Sequence, residues 1–154
     1  MGFCIHILAV GRLRRGPFTE LAAVYRDRIR VPLETLEIEA RKGISDAART
    51  AEEGRLLLQA LPPGALVVAL DERGKSLNSM DFATLVATSR DAARPLVFLL
   101  GGADGHSAEV RARADLMIAF GQATWPHQLA RVMLLEQIYR AETILSGHPY
   151  HREG

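Results

Sequence analysis

Apolar runs and helix-patterned stretches alternate five times along this chain, and that alternation limits its fold more than any other feature. Phe3 to Val10 is a short apolar run closed by Gly11, the pattern of a buried strand. Pro17 to Ile29 follows with helical spacing at Phe18, Leu21, Ala22, Tyr25 and Ile29. Leu33 to Ala40 alternates, which predicts a strand near a sheet edge with one better-buried face. Ser45 stands where it can cap a helix from Asp46 to Leu61, and Pro62-Pro63-Gly64 ends it. Ala65 to Leu70 predicts another buried strand, with Asp71 to Ser76 as a loop; Ser79 to Ala93 predicts a helix, and Pro95 to Leu100 a third apolar strand. Ser107 caps a short helix, Leu116 to Phe120 is the last strand, and Pro126 sits in the first turn of a long terminal helix. The class this predicts is α/β: a mainly parallel sheet of five to six strands with helices on both faces. Ligands bind such sheets outside the carboxyl ends of the strands. Three loops there stand out, after Leu70, Leu100 and Phe120.

No repeat or linker divides the 154 residues, so a single domain over residues 1–154 is expected. A net charge of +1 argues against gripping long nucleic acid by charge alone, although Arg12, Arg14 and Arg15 leave a small basic patch. The lone Cys4 lies in an apolar run and reads as a buried thiol in a reducing compartment. No apolar run reaches membrane-spanning length and the start lacks a signal-type charged region, which predicts a soluble cytoplasmic protein with no membrane role.

Gly74-Lys75-Ser76 resembles the end of a phosphate-binding P-loop, but the first glycine of that motif would fall on Ala69, so it is rejected. Gly101, Gly102 and Gly105 miss the dinucleotide spacing. Either they let a ligand lie against bare backbone or they form a tight turn. His148 and His151 flank Pro149 with no cysteine or carboxylate cluster at ligand spacing, so no metal site is expected. His127, behind Pro126, with Arg131 one turn on, offers a helix start suited to an anionic or electron-rich ligand. A lone histidine there is more often structural. Glu136 and Arg140 are spaced for an ion pair. Along the terminal helix Ala130, Leu134, Ile138, Ala141 and Leu145 make one apolar face. Val132, Leu135 and Tyr139 fall elsewhere and predict a second covering surface, the simplest being another subunit. These patterns alone reach a ligand-binding α/β domain.

Several segments taken together resemble the SPOUT-class RNA methyltransferases, closest to the small single-domain enzymes that methylate N3 of a pseudouridine in large-subunit ribosomal RNA. They are Leu8-Ala9-Val10-Gly11, Leu70 to Lys75, Phe98 to Gly105, Thr124 to Val132, Glu136 to Ala141 and Pro149-Tyr150-His151-Arg152. Trp125 departs from the aliphatic residue or phenylalanine expected in this pattern, and Arg14 to Thr19 match loosely. The resemblance implies a SPOUT-type α/β knot with a C-terminal trefoil, a homodimer, and S-adenosyl-L-methionine as donor. Leu70, Gly101, Gly102, Phe120, Gly121, Gln122, Ala123, Thr124, Trp125 and Pro126 would wrap that donor. His127 or His151 would assist deprotonation, Arg152 would face phosphate or a uracil oxygen, and Arg131, Arg140 and Tyr150 would contact RNA. The implied target is 23S rRNA of the assembled ribosome, which supplies affinity that a near-neutral chain lacks. A non-catalytic ribosome-assembly factor and a flavodoxin-like nucleotide-binding enzyme are the alternatives.

Overall fold

Every residue of Leu96–Leu100 is buried, because this strand lies at the centre of a five-stranded sheet. The structure, a computed structural model, describes residues 2–152. Strands β1 (Ile5–Val10), β2 (Leu33–Ile38), β3 (Leu66–Ser76), β4 (Leu96–Leu100) and β5 (Leu116–Ala119) run in the order β2-β1-β4-β3-β5. All four pairings are parallel. A flavodoxin-type sheet is ordered 2-1-3-4-5, so the exchange of β3 and β4 excludes that alternative.

Helices cover both faces. Helices α1 (Pro17–Arg28), α3 (Ser79–Asp91) and α5 (His127–Ser146) close one core around Ile7, Phe82, Phe98, Leu134 and Ile138. Helices α2 (Asp46–Gln59) and α4 (Ala108–Arg113) close the other around Leu8, Leu57, Val67, Leu99 and Val110. Ser45 and Ser107 cap α2 and α4 as expected, accepting from the Ala48 and Val110 N–H groups. Pro126 is the N-cap of α5 rather than a first-turn residue. Gly147, at φ 76°, ends that helix in the left-handed conformation.

Three expectations change. The segment Asp71–Ser76 is not a free loop, since β3 continues to Ser76. Leu70 and Lys75 both pair with Ile118, so the four residues between them bulge out. Gly74 permits this: a Cβ there would lie 2.6 Å from the Ile118 nitrogen and 2.7 Å from the Met117 carbonyl carbon. Secondly, β2 is an edge strand but buries only Ile38, leaving Leu36 exposed. Thirdly, Val132 and Leu135 are buried within their own subunit, because α5 is covered from two sides by α1 and α3. They need no partner. The apolar surface left over lies in a groove lined by Leu21, Tyr25, Leu129 and Met133, with Val24 exposed nearby on α1. Among the described residues no helix is long and apolar enough to cross a membrane.

Candidate active site

The bulge in β3 and the chain segments leaving β4 and β5 meet at the carboxyl edge of the sheet and enclose a cavity of about 390 Å³. Its walls include Leu70, Gly101, Gly102, Phe120, Gly121, Ala123, Thr124 and Trp125, all expected from the sequence, together with His127. Gln122 and Pro126 do not line it. The three segments also bond to one another. Thr124 Oγ1 donates to Glu72 Oε2 at 2.7 Å, and Trp125 Nε1 donates to the Phe120 carbonyl at 2.8 Å. Residues Gly121 to His127 are nonetheless exposed, so the cavity opens on their side.

The glycines after β4 line the cavity as expected, and they have a second reason as well. A Cβ at Gly101 would meet the Gly105 carbonyl carbon at 3.0 Å and His106 Nδ1 at 3.2 Å; at Gly102 it would meet Val10 at 3.0 Å and both Glu53 carboxylate oxygens at 3.2 Å. The missing side chains make room for protein behind the loop, while the backbone faces the cavity. His106 is buried, with Nε2 3.2 Å from the Leu99 carbonyl and Nδ1 without a partner. Burial pushes its pKa down, so the neutral ring donates from Nε2 and leaves a lone pair on Nδ1. Burial likewise pushes the Glu53 carboxyl up, against the pull of Arg49. Arg49 pins the loop from the α2 side, 2.5 Å from Asp104. Sequence reasoning missed Glu53 and His106, and only the adjacency of His106 to Gly105 hinted at the latter.

The cavity walls also carry Asp71, Glu72 and Asp104, with Arg73 beside Asp71 and Arg49 paired to Asp104, so acid exceeds base by one charge. That excess suits a cationic ligand better than a triphosphate. His127 is exposed at its mouth, and its side chain has no hydrogen-bond partner among those described.

The remaining expected residues lie elsewhere. Arg131 is buried, and its guanidinium binds Glu37 Oε2 at 2.5 Å and donates to the Gly11 carbonyl at 2.8 Å. It ties α5 to the ends of β1 and β2, which withdraws it as an RNA-facing cation. Arg140 pairs with Glu136 at 2.7 Å, as the spacing predicted, lies 3.0 Å from His151 Nδ1, and covers the Tyr150 ring at 4.8 Å. Tyr150 packs edge-on against Tyr139 and donates to Glu136 at 3.1 Å. Its pKa is pushed up to about 12 by burial and then by Glu136, so the phenol stays a donor. Arg152 is exposed. The tail therefore docks near Glu136, nine residues along the helix from His127, roughly 14 Å at the helical rise. His127 and His151 do not meet within one chain.

The fold and site define an α/β protein with a cofactor-sized, acid-lined pocket at the carboxyl edge of a parallel sheet. Residues 3–151 match the family described as predicted SPOUT methyltransferase. The chain is 54% identical over 147 residues to ribosomal RNA large subunit methyltransferase H of Rhodospirillum centenum, covering 95% of this chain and 97% of that protein. It is 52% identical over 155 residues to the protein of that name from Xanthobacter autotrophicus, again covering 95% and 97%. A solved SpoU methyltransferase, AviRb from Streptomyces viridochromogenes in complex with AdoMet, aligns with a TM-score of 0.46 and 14% identity, covering 90% of this chain and 58% of that one. The chain belongs to the SPOUT methyltransferase family.

Proposed function

We propose that this methyltransferase uses S-adenosyl-L-methionine to methylate N3 of a pseudouridine in large-subunit rRNA of the assembled ribosome, in the cytoplasm and as a homodimer. The observation that carries the reading is the convergence of three loops on one cavity whose walls suit a cationic nucleoside. Leu70, Phe120 and Trp125 offer apolar faces for a base, and the glycine backbone offers donors and acceptors. Asp71, Glu72 and Asp104 match the positive charge of a sulfonium and an ammonium group. The donor supplies an activated methyl group. The relatives' names support the rRNA substrate.

The protein's task is to align N3 with that methyl and to hold the charge left when N3–H is lost. His127, free at the cavity mouth, is the proton acceptor in this reading. The tail brings Tyr150, His151 and Arg152, with Arg140 holding the first two. Because the tail rests well away from its own His127, it serves the pocket of a second copy seated in the α1–α5 groove. Phe120 borders both the groove and the pocket. The trefoil knot implied by the family is compatible with Gly74 crossing the Met117–Ile118 backbone.

Calorimetry with S-adenosyl-L-methionine, a flavin and a nucleoside triphosphate tests the pocket, with binding expected for the first alone. Mass-spectrometric mapping of rRNA from ribosomes incubated with enzyme and labelled donor tests the target. Methyl transfer to free rRNA as fast as to ribosomes would refute the assembled-ribosome reading.

A further inference from the structure

At the end of the sheet away from the pocket, three side chains with different donor atoms converge. Cys4 and His6 are two residues apart at the start of β1, so the strand period places them on one face. The parallel register sets Glu34 of β2 directly beside His6. The Cys4 thiol, a His6 ring nitrogen and a Glu34 carboxylate oxygen all lie within 4.8 Å of one another, and His6 Nδ1 is 3.6 Å from Glu34 Oε2. Cys4 is only partly buried, contrary to the thiol expected inside an apolar run. Sequence spacing could not reveal this group, since its third member comes from strand register rather than from proximity in the chain.

We propose that Cys4, His6 and Glu34 form a zinc site that staples the edge strand β2 to β1. The donor set selects the metal. Zinc accepts thiolate, imidazole and carboxylate together, usually in a tetrahedron, whereas magnesium and calcium require oxygen ligands. Zinc–ligand bonds of about 2.0–2.3 Å put neighbouring tetrahedral donor atoms about 3.3–3.8 Å apart. The His6–Glu34 pair already has that spacing, and the widest separation needs to close by roughly 1 Å. Glu34 can make that movement, because its side chain is 75% exposed. Three protein ligands leave the fourth position to water. The thiolate and carboxylate balance the charge of the ion, and the thiol proton is released on binding.

The staple also has a mechanical purpose. Only Ile38 of β2 is buried, so apolar packing holds this strand weakly. Arg131 fastens its carboxyl end through Glu37, and the end carrying Glu34 is held by the Glu142 carboxylate, which accepts from the Arg30 and Val31 N–H groups, and by Arg26, which donates to Thr35 Oγ1; a metal ion would add a side-chain link from this end directly to β1. The site faces the α2–α4 side of the sheet with Leu8 and Val10, away from the α1–α5 groove, so a second copy in that groove leaves it open to solvent.

The test uses the full chain, stripped with chelator and titrated with zinc chloride in a calorimeter, then with cobalt(II) in a spectrophotometer. One zinc per chain is expected, with a thiolate-to-cobalt charge-transfer band that Cys4→Ser abolishes. Losing a group that only supports a ligand costs about 10–100-fold in metal affinity, so losing a ligand itself, in Cys4→Ser or Glu34→Gln, is expected to weaken zinc by about 100-fold or more. Glu34→Gln alters an exposed side chain and keeps the fold, so it remains informative if the cysteine variant is unstable. Hydrogen exchange of the Leu33–Ile38 amides is expected to slow when zinc is added. Zinc affinity unchanged in both variants would place the ion elsewhere, such as the histidine-bearing tail, and overturn the proposal. A missing thiolate band, or β2 exchange indifferent to zinc, would overturn it as well.

Discussion

Replacing Arg131 with methionine separates a structural role from an RNA-binding one. The substitution keeps the aliphatic stem and removes a guanidinium whose side chain is 5% exposed. It leaves the Gly11 carbonyl and one Glu37 oxygen short of a donor. Removing one partner of a fully buried ion pair costs about 3–5 kcal/mol. Here Glu37 is 34% exposed and keeps the Leu13 N–H at 2.8 Å, so water screens what remains. A loss of about 2–3 kcal/mol follows, which for a chain of this size lowers Tm by roughly 6–10 °C. The assays are thermal and urea unfolding at fixed protein concentration, calorimetry with S-adenosyl-L-methionine, and the salt dependence of ribosome binding. Donor affinity and the salt slope of the folded variant are expected to match the unaltered protein. A variant with unchanged Tm but weaker ribosome binding and a salt slope reduced by about one would refute the reasoning and return Arg131 to the RNA surface.

The same pair predicts a pH dependence. Burial alone would raise the Glu37 carboxyl, but the Arg131 hydrogen bond, the Leu13 N–H and nearby charge outweigh it and hold the pKa below the usual range. Its stabilisation is therefore present above the ordinary carboxylate pKa and lost as pH falls through the depressed one; Glu37→Gln should flatten that acid limb of the stability curve, and an unchanged limb would remove Glu37 as its source. His127→Ala is expected to lower turnover about 10²–10⁴-fold with donor affinity and Tm nearly unchanged, and full turnover would exclude it as the proton acceptor. Gly74→Ala forces a Cβ into the Met117–Ile118 backbone and is expected to cost about 3 kcal/mol, so a variant of normal stability would contradict the crossing. Mixing a chain lacking residues 148–154 with a His127→Ala chain should restore about one working site per heterodimer; no recovery in verified heterodimers would mean that the tail serves its own subunit. Gly102→Val is the poorer partner for that experiment, since its side chain would press on Val10 and Glu53.

Local patterns in the sequence were enough for the order and type of the elements, though not for the continuation of β3 past Leu70. Apolar runs of strand length and Ser45 and Ser107 as caps are decided by side-chain period and backbone hydrogen bonding, both of which act within a few residues. The order of motifs was enough to single out the three loops that form the pocket. Tertiary structure decided whatever depends on which strand lies beside which. The sheet order is set by crossovers that leave no local trace, and only that order distinguishes this fold from a flavodoxin-like one. Arg131 looked like a free cation one turn into a helix until packing brought Glu37, 94 residues away in the chain, against it. Gly101 and Gly102 read as positions where a ligand meets bare backbone, and only packing shows that protein behind them also excludes a side chain. Val132 and Leu135 looked like an interface, but two flanking helices cover them. Cys4 and Glu34 share a face only because β1 and β2 pair in one register out of several. Residue type and spacing act along the chain, whereas burial, charge pairing and ligand geometry arise between segments, and the free energy that selects them exists only once the segments have met.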